Sequence, residues 1–207
     1  MVMKLTGFAL MHITALMAVW ANGRKTTSMV IHKGKSNGVI SRESGPILHT
    51  TQEKAWVQSS LIINWIDVLF SIVNISSRKC IVWDSCWAHI SGDVKQHCAK
   101  RNIELIVIPG GMTPYLQAGD IGIYQELKDN ISTVIDHWKR SDHVQYTKGG
   151  NPKPPQNEMV RSWVLDSWRQ VSVSTVKNSI LASGFHTDYK QWHIAKHDIY
   201  VVQFLTA

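Results

Sequence analysis

The first 42 residues of this 207-residue sequence contain no aspartate or glutamate, and Glu43 is the first acidic residue. Charged residues make up only 18% of the chain and hydrophobic residues 44%, which excludes a wholly disordered protein and suffices for one core of ordinary size. No apolar run is long enough to span a bilayer, so we expect no membrane partner. The three cysteines cannot all pair within the chain and favour reduced, intracellular thiols.

The chain is basic. Lys and Arg outnumber Asp and Glu by 22 to 15, which gives a net charge of +7. This excess is compatible with a polyanionic partner, although many unrelated proteins are as basic. For each candidate phosphate contact the alternative is a solvated basic surface. The candidates, with one tryptophan in the same stretches, are Lys33, Lys35, Lys54, Arg78, Lys79 and Trp56.

The N-terminal segment has two interpretations. A basic start followed by an apolar run over residues 5–20 resembles a signal peptide. Asn22-Gly23, however, is a strong hairpin turn dipeptide, and residues 28–32 have the composition of a returning strand. The turn chemistry favours a β-hairpin over residues 5–32, with a cleaved signal sequence and a secreted protein as the alternative.

Strands and helices alternate over the next hundred residues. Residues 33–58 are expected to form a loop with one short strand near residues 39–40. An apolar stripe predicts a helix over residues 62–73, with Ser59 or Ser60 as its N-cap. Apolar runs over residues 80–83 and 103–108 predict buried strands that pair in parallel, joined by a helix over residues 91–101 capped by Ser91.

The remainder of the chain is mainly helical. A long helix begins between Pro114 and Ala118, with an inward stripe of Tyr124, Leu127, Ile131, Val134 and Trp138. We therefore expect an α/β domain over residues 1–138, a Gly- and Pro-rich linker over 139–156, a helical extension over 157–187 and an uncertain tail over 188–207. The extension's second helix should stop at Gly184.

Two carboxylates occupy positions suited to ligand binding. Asp84 ends an apolar strand, where open α/β sheets place their ligands. Asp120 precedes Tyr124 by four residues, so it should lie on the buried helix face and point at the sheet edge rather than into water. Such a pair suits a shared Mg²⁺ or Mn²⁺ ion. The alternative is that Asp84 begins a turn and Asp120 caps a helix.

At these residues the chain resembles a known family. Residues 81–89 (Ile-Val-Trp-Asp-Ser-Cys-Trp-Ala-His) are similar to the pogo/Tigger transposase segment in which a strand ends in Asp-Ser and a histidine follows. Residues 103–113 resemble the next strand with its Pro-Gly-Gly and threonine, and residues 116–120 resemble the family's Leu-Gln-Pro-Leu-Asp. Ala118 and Gly119 depart from that pattern, and residues 124–127 match poorly. The resemblance covers about residues 4–187.

The resemblance implies a partial ribonuclease-H-like fold, a mixed sheet flanked by helices, with a helical C-terminal extension. It also implies a three-carboxylate site that binds two Mg²⁺ or Mn²⁺ ions and cuts and joins DNA strands in the nucleus. Asp84 and Asp120 match the second and third carboxylates. The first belongs on a strand before the hairpin, and with no acidic residue before Glu43 the chain is expected to be N-terminally truncated and catalytically incomplete. The family's N-terminal helix-turn-helix region is also expected to be missing.

Three further expectations concern the site and its partners. His89 is a candidate second-sphere partner of the acidic site, with a packed or solvated histidine as the alternative. A zinc site among Cys80, Cys86, His89, His97 and Cys98 is disfavoured, because the ligand spacing is wrong. We expect weak, non-specific DNA binding in which Lys33 and Lys35 contact phosphates, and the alternative function is a non-enzymatic interaction module derived from a transposase.

Overall fold

The computed structural model describes residues 2–4, 12–35, 39–42, 47–71 and 77–197. Its strands are β1 (Val2–Lys4), β2 (His12–Leu16), β3 (Ser28–Lys33), β4 (Ser41–Arg42), β5 (Ile47–Gln52), β6 (Lys79–Asp84) and β7 (Ile103–Ile108). Its α-helices are α1 (Ser59–Leu69), α2 (Trp87–Ile90), α3 (Gly92–Lys100), α4 (Thr113–Leu116), α5 (Tyr124–Lys139), α6 (Asn157–Gln170) and α7 (Val173–Ile180). The chain forms two compact units, a first of Met1–Trp20, Lys25–Trp56 and Glu126–Ser172, and a second of Ala21–Arg24, Val57–Gln125 and Val173–Ala207.

The first unit contains a five-stranded mixed sheet in the order β1-β2-β3-β5-β4. β3 pairs antiparallel with β2 and parallel with β5. Residues 28–32 of β3 are all buried, as a central strand covered on both faces requires. The predicted hairpin is confirmed for residues 12–33, with a turn at Asn22-Gly23 in which Gly23 has a φ of +88°. Residues 5–11 of that prediction lie outside the described residues.

The loop predicted over residues 33–58 was wrong in part. Residues 47–52 form β5, and the short strand expected near residues 39–40 lies at Ser41–Arg42, paired antiparallel with β5. β5 has three consecutive polar residues, His49, Thr50 and Thr51, and lacks the apolar period by which a strand is recognised. Its strand conformation depends on six register pairs with β3, a partner that local sequence does not reveal.

Residues 126–139 of α5 and the whole of α6 belong to the first unit. The stripe of α5 is Leu127, Ile131, Ile135 and Trp138, so Ile135 replaces the predicted Val134, which is half-buried. Trp138 packs against Trp163 of α6 with ring centroids 5.4 Å apart. Between the helices, residues 140–156 contain turns and an isolated bridge between Tyr146 and Pro152.

The second unit contains a two-stranded parallel sheet. β6 and β7 pair in parallel from Lys79 opposite Ile103 to Asp84 opposite Ile108, which confirms the predicted pairing. The connection runs through α2 and α3, and α3 begins after Ser91, whose hydroxyl accepts a hydrogen bond from Val94 N as predicted. The predicted cap of α1 was wrong, because Gln58 holds the N-cap position and Ser59 and Ser60 lie inside the helix.

The long helix expected from residue 114 onward is interrupted. α4 ends at Leu116, Gln117 is extended, and a π-helical turn over Gly119–Ile123 leads into α5; we call these five residues the π-turn. α7 packs on the π-turn, and the chain after α7 leaves helical geometry at Gly184 (φ +108°), as predicted. No helix among the described residues is both long and apolar enough to cross a membrane.

Candidate functional site

Asp84 lies at the carboxyl end of β6, in the second unit, where the chain leaves the sheet. Its Oδ1 accepts a hydrogen bond from Cys86 N at 3.0 Å, which closes a turn immediately after the strand. Asp84 therefore does begin a turn, as the simpler interpretation of the sequence held. The side chain nevertheless stays 32% exposed, so the turn leaves the carboxylate accessible to a ligand.

His89 of α2 is the second partner of Asp84. Its Nδ1 lies 2.7 Å from Asp84 Oδ1, and because a carboxylate only accepts, the imidazole donates. The His89 ring stacks on the buried Trp83 ring at a centroid distance of 4.8 Å and an interplanar angle of 12°. His89 is thus held on two sides, by a hydrogen bond and by an aromatic face.

The loop after β7 runs beside this turn. A Cβ built on Gly110 would lie 3.8 Å from Ser85 Oγ, an ordinary van der Waals contact. Met112 N donates to Pro109 O at 3.1 Å, so residues 109–112 form a tight turn that directs the chain into α4 and the π-turn. The loop after β7 is therefore a neighbour of the turn that carries Asp84, and it leads on along the chain toward Asp120.

Asp120 is the second residue of the π-turn, and its side chain is exposed. The prediction that Asp120 points away from water was therefore wrong. That prediction assumed a regular α-helix, in which residues four apart share a face. A π-turn has a wider repeat, so the face of the α5 stripe does not extend back to Asp120. π-turns inside helices often mark functional sites, and this one carries the candidate carboxylate.

Tyr124 is the residue that the sequence assigned only to the core stripe. Its side chain is half-buried, and a Cβ built on Gly119 would lie 2.4 Å from Tyr124 Cε2 and 2.9 Å from its hydroxyl oxygen. The ring therefore lies directly on the backbone of Gly119, one residue before Asp120. Only a glycine permits that approach, and the Gly119–Tyr124 spacing in the sequence carries no recognised signal for it.

The electrostatics of the site connect these groups. Burial raises the pKa of Tyr124, and the negative charges of Asp120 and then Asp84 raise it further, so the phenol stays protonated at neutral pH. The hydrogen bond from His89 and the one from Cys86 N hold the pKa of Asp84 below its ordinary value despite partial burial. At neutral pH the site therefore combines ionised Asp84 with a neutral phenol that both candidate carboxylates influence.

The oxygen atoms of Asp84 and Asp120 are of the type that binds a divalent cation. Both hydrogen bonds described for Asp84 go to Oδ1, which leaves Oδ2 for a further ligand. Carboxylate oxygens such as those of Asp84 and Asp120 are the ligands that Mg²⁺ and Mn²⁺ prefer. A second possible set of metal ligands is Asp84, Cys86 and His89, whose ligand atoms lie within 4.8 Å of one another. In this set, however, His89 Nδ1 is engaged in the hydrogen bond to Asp84 Oδ1.

The other candidate metal ligands are separated from Asp84. His97 Nε2 bonds Asp67 Oδ1 at 2.8 Å, Cys98 is buried in α3, and Cys80 is exposed on β6. Burial raises the pKa of the Cys98 thiol to about 11, which further disfavours a thiolate ligand at neutral pH. The five-residue zinc site that the sequence disfavoured is accordingly not assembled among the described residues.

The candidate phosphate contacts divide between the two units. Lys33, Lys35 and Lys54 are exposed in the first unit. In the second unit, Arg78 forms an ion pair with Glu104 at 2.8 Å, and Lys79 Nζ donates to the carbonyls of Ser77 and Arg101.

Comparison with known proteins identifies relatives of the chain. The sequence model of the family described as "DDE superfamily endonuclease" matches residues 11–180. The proteins named "Pogo transposable element with KRAB domain" from Homo sapiens and from Mus musculus are each 24% identical to it over 176 residues. Those alignments cover 84% of this chain and 29% of each relative, so the chain spans less than a third of the length of these relatives.

Proposed function

Because this chain belongs to the DDE superfamily of endonucleases and is of transposase origin, we propose that it is a DNA-binding domain whose Asp84 and Asp120 are metal-ligating carboxylates of a strand-cleavage site. One observation carries the proposal: both hydrogen bonds described for Asp84 go to Oδ1, so its partly exposed carboxylate keeps Oδ2 for a metal ion. The charges of Asp120 and Asp84 both raise the pKa of the Tyr124 phenol, which supports placing the two acidic side chains in one part of the second unit.

The residues of the chain have distinct roles in this proposal. Asp84 and Asp120 hold Mg²⁺ or Mn²⁺, which when bound in pairs would stabilise charge on the attacking and leaving oxygens of a phosphoryl transfer. His89 orients the Asp84 carboxylate through the hydrogen bond from Nδ1 to Oδ1 and so acts as a positioning residue. Tyr124 stays neutral beside both carboxylates and adds no competing charge.

We further propose that the 207-residue chain by itself does not cleave or join DNA at a useful rate. The family mechanism uses three carboxylates, and this sequence offers no acidic residue before Glu43 to serve as the first. Two carboxylates hold one Mg²⁺ loosely, because that ion keeps most of its waters. Paired stabilisation of the two reacting oxygens is the larger part of such catalysis and would be lost.

Metal binding tests the site directly. Titration of Mn²⁺ followed by electron paramagnetic resonance should show weak binding that Asp84→Ala and Asp120→Ala each reduce. Asp93→Ala is the matched control, because Asp93 is an exposed aspartate of the same unit on α3. Equal Mn²⁺ binding by all four proteins would remove the site from Asp84 and Asp120.

Cleavage is tested by nicking of supercoiled DNA with Mg²⁺ and then Mn²⁺. We expect no nicking above background from the chain or from its Asp84→Ala variant. Nicking that the substitution abolishes would show an active endonuclease and overturn the proposed inactivity.

DNA binding should be weak, non-specific and strongly salt-dependent, because the excess of seven positive charges neutralises phosphates and phosphate contacts carry no sequence information. Filter binding to a random duplex at two salt concentrations measures it. Tight, salt-insensitive binding would contradict the proposal, and no binding at all would favour a transposase-derived protein-interaction module. A chromosomal DNA partner also implies a nuclear location, which imaging of a fluorescent fusion checks.

A further inference from the structure

The carboxyl ends of β3 and β5 lie side by side in the first unit. The two strands pair in parallel, and Lys33 at the end of β3 is the register partner of Gln52 at the end of β5. Gly34 N donates to Gln52 O at 3.0 Å, so the two segments remain hydrogen-bonded one residue beyond the end of β3. The exposed residues that follow each strand, Lys35 after β3 and Lys54 after β5, therefore emerge at one edge of the sheet.

The turn after β5 brings a tryptophan to the surface at this edge. Ala55 is buried, has a φ of +53° and donates its N–H to Gln52 O at 3.0 Å. A left-handed conformation is unfavourable for a non-glycine residue, and such strain is retained where surrounding structure demands it. The next residue, Trp56, has 64% of its surface exposed. The turn thus buries a methyl group and leaves an indole in solvent.

Lys54 makes this indole part of a charged surface. Its Nζ lies 5.6 Å from the centroid of the Trp56 ring, within cation–π distance. We define the Trp56 platform as Trp56 together with Lys33, Lys35 and Lys54. The nearby carboxylate within the same turn is that of Glu53, which is exposed.

The charged residues of the first 42 positions all have one sign. Residues 1–42 contain six Lys or Arg residues and no Asp or Glu, and they supply β1, β2, β3 and β4 of this sheet. A surface of this kind attracts a polyanion. An exposed aromatic ring beside lysines can also stack on a nucleic-acid base, which phosphate binding alone does not require.

We propose that the Trp56 platform binds single-stranded DNA, with an unpaired base stacked on Trp56 and the adjoining phosphates on Lys33, Lys35 and Lys54. This inference rests on the proposed DNA binding of the chain and adds the state of the strand that it recognises. Aromatic side chains stack on bases of any sequence, while lysines follow the backbone. A base inside a duplex is already stacked on both faces, so a duplex offers the platform its phosphates alone.

The test compares an oligothymidine single strand with a duplex by fluorescence anisotropy of a labelled end. Trp56→Leu should weaken single-strand binding by about fivefold or more, the lower end of base–aromatic stacking, and change duplex binding less than about twofold. Trp56→Phe keeps an aromatic face and should retain most of the affinity. Tyr146→Leu is the matched control, since Tyr146 is another exposed aromatic residue of the first unit, and it should bind like the parent.

The lysines give an independent readout. Lys33→Gln with Lys35→Gln should weaken binding to both DNA forms and reduce the single-strand salt slope by about 0.7 for each phosphate that is no longer neutralised. Trp56→Leu should leave that slope unchanged, because stacking releases no counterions.

The outcomes separate this inference from the proposed function. Salt-dependent DNA binding by the parent, with single-strand affinity unaltered in Trp56→Leu, overturns the platform and leaves general DNA binding intact. Equal weakening of single strand and duplex by Trp56→Leu also overturns the single-strand assignment. A parent that binds neither DNA form refutes both proposals. Unchanged thermal unfolding of Trp56→Leu and Trp56→Phe verifies that each comparison is made on folded protein.

Discussion

His89 Nδ1 donates a hydrogen bond of 2.7 Å to Asp84 Oδ1. The His89 ring is also held by stacking on the ring of Trp83. The pair joins the end of β6 to the short helix α2, five residues later. Its hydrogen bond is the largest influence that lowers the pKa of Asp84, ahead of the backbone N–H of Cys86. The carboxylate proposed to bind metal is thus kept ionised by its own neighbours.

Replacing His89 should raise the pKa of Asp84. In His89→Ala the carboxylate loses its strongest stabilising partner, so its pKa should move up toward the ordinary 3.8 or beyond. Carboxyl ¹³C chemical shifts followed over acidic pH measure it. His97→Ala is the control, because His97 pairs with Asp67 instead. An Asp84 titration that is identical in all three proteins would show that the bond does not form in solution.

The same pair predicts the direction of acid sensitivity. Because the folded pKa of Asp84 is lowered, its contribution to stability is present above the ordinary pKa and is lost as pH falls through the lowered value. His89→Ala should therefore show a shallower loss of stability over this acidic range than the parent. Urea unfolding at a series of acidic pH values checks the slope, and a steeper loss in the variant would contradict the linkage.

Gly119→Ala should destabilise the protein. An added Cβ would lie 2.4 Å from the Tyr124 ring, and overpacking of this kind costs about 1–3 kcal/mol. The gain of up to about 1 kcal/mol from replacing a helical glycine offsets only part of that cost. Gly92→Ala is the matched control, because nothing lies within 4 Å of its Cβ position, and it should be neutral or stabilising. Urea unfolding compares the two, and equal stabilities would mean that the Tyr124 ring moves aside freely.

Tyr124 should make the protein sensitive to alkali. Burial raises its pKa above the ordinary 10.0, so the unfolded chain loses the phenolic proton at lower pH than the folded chain does. The associated stability is complete below about pH 10 and is lost as pH rises through the folded pKa. Tyr124→Phe should show a flatter dependence of the urea midpoint on alkaline pH, whereas Tyr146→Phe, at an exposed position, should behave as the parent. Parallel curves for all three proteins would argue that the phenol is solvated.

Lys25 should stabilise the end of α6. Its Nζ donates to the carbonyls of Arg169, at 2.8 Å, and Val171, and lies 5.6 Å from the Trp168 ring centroid. These carbonyls come at the helix C-terminus, where a cation also interacts favourably with the negative end of the helix dipole. Lys25→Met keeps the apolar stem and should cost about 1–3 kcal/mol in the free energy of unfolding, because two carbonyls lose their donor. Arg24→Met, at the exposed neighbouring position, should cost less than about 0.5 kcal/mol, and similar costs for both would dismiss the contact.

Local chemistry was enough to predict part of the fold and of the candidate site. Asn22-Gly23 specified the hairpin turn, because the glycine adopts a positive φ of +88° that other residues rarely adopt. The apolar runs ending at Asp84 and Ile108 specified two strands, and the helical connection implied their parallel pairing. The prediction that both strands are buried was wrong, because Val82 and Ile106 are exposed. Ser91 specified the start of α3 through a bond to Val94 N. Each of these signals acts within a few residues, so the sequence alone contains it.

The remaining features depend on contacts between segments that are distant in the sequence. β5 is a strand because β3 provides its partner, and the polar residues of β5 give no period of their own. Asp120 was predicted on a regular helix, but the π-turn, on which α7 packs, places it in solvent. Tyr124 was predicted only as part of the apolar stripe, but its ring lies on Gly119, and the charges of Asp120 and Asp84 raise its pKa. The sequence by itself determined the turns, the strand runs and the identity of the acidic residues, while only tertiary packing decided which of them meet.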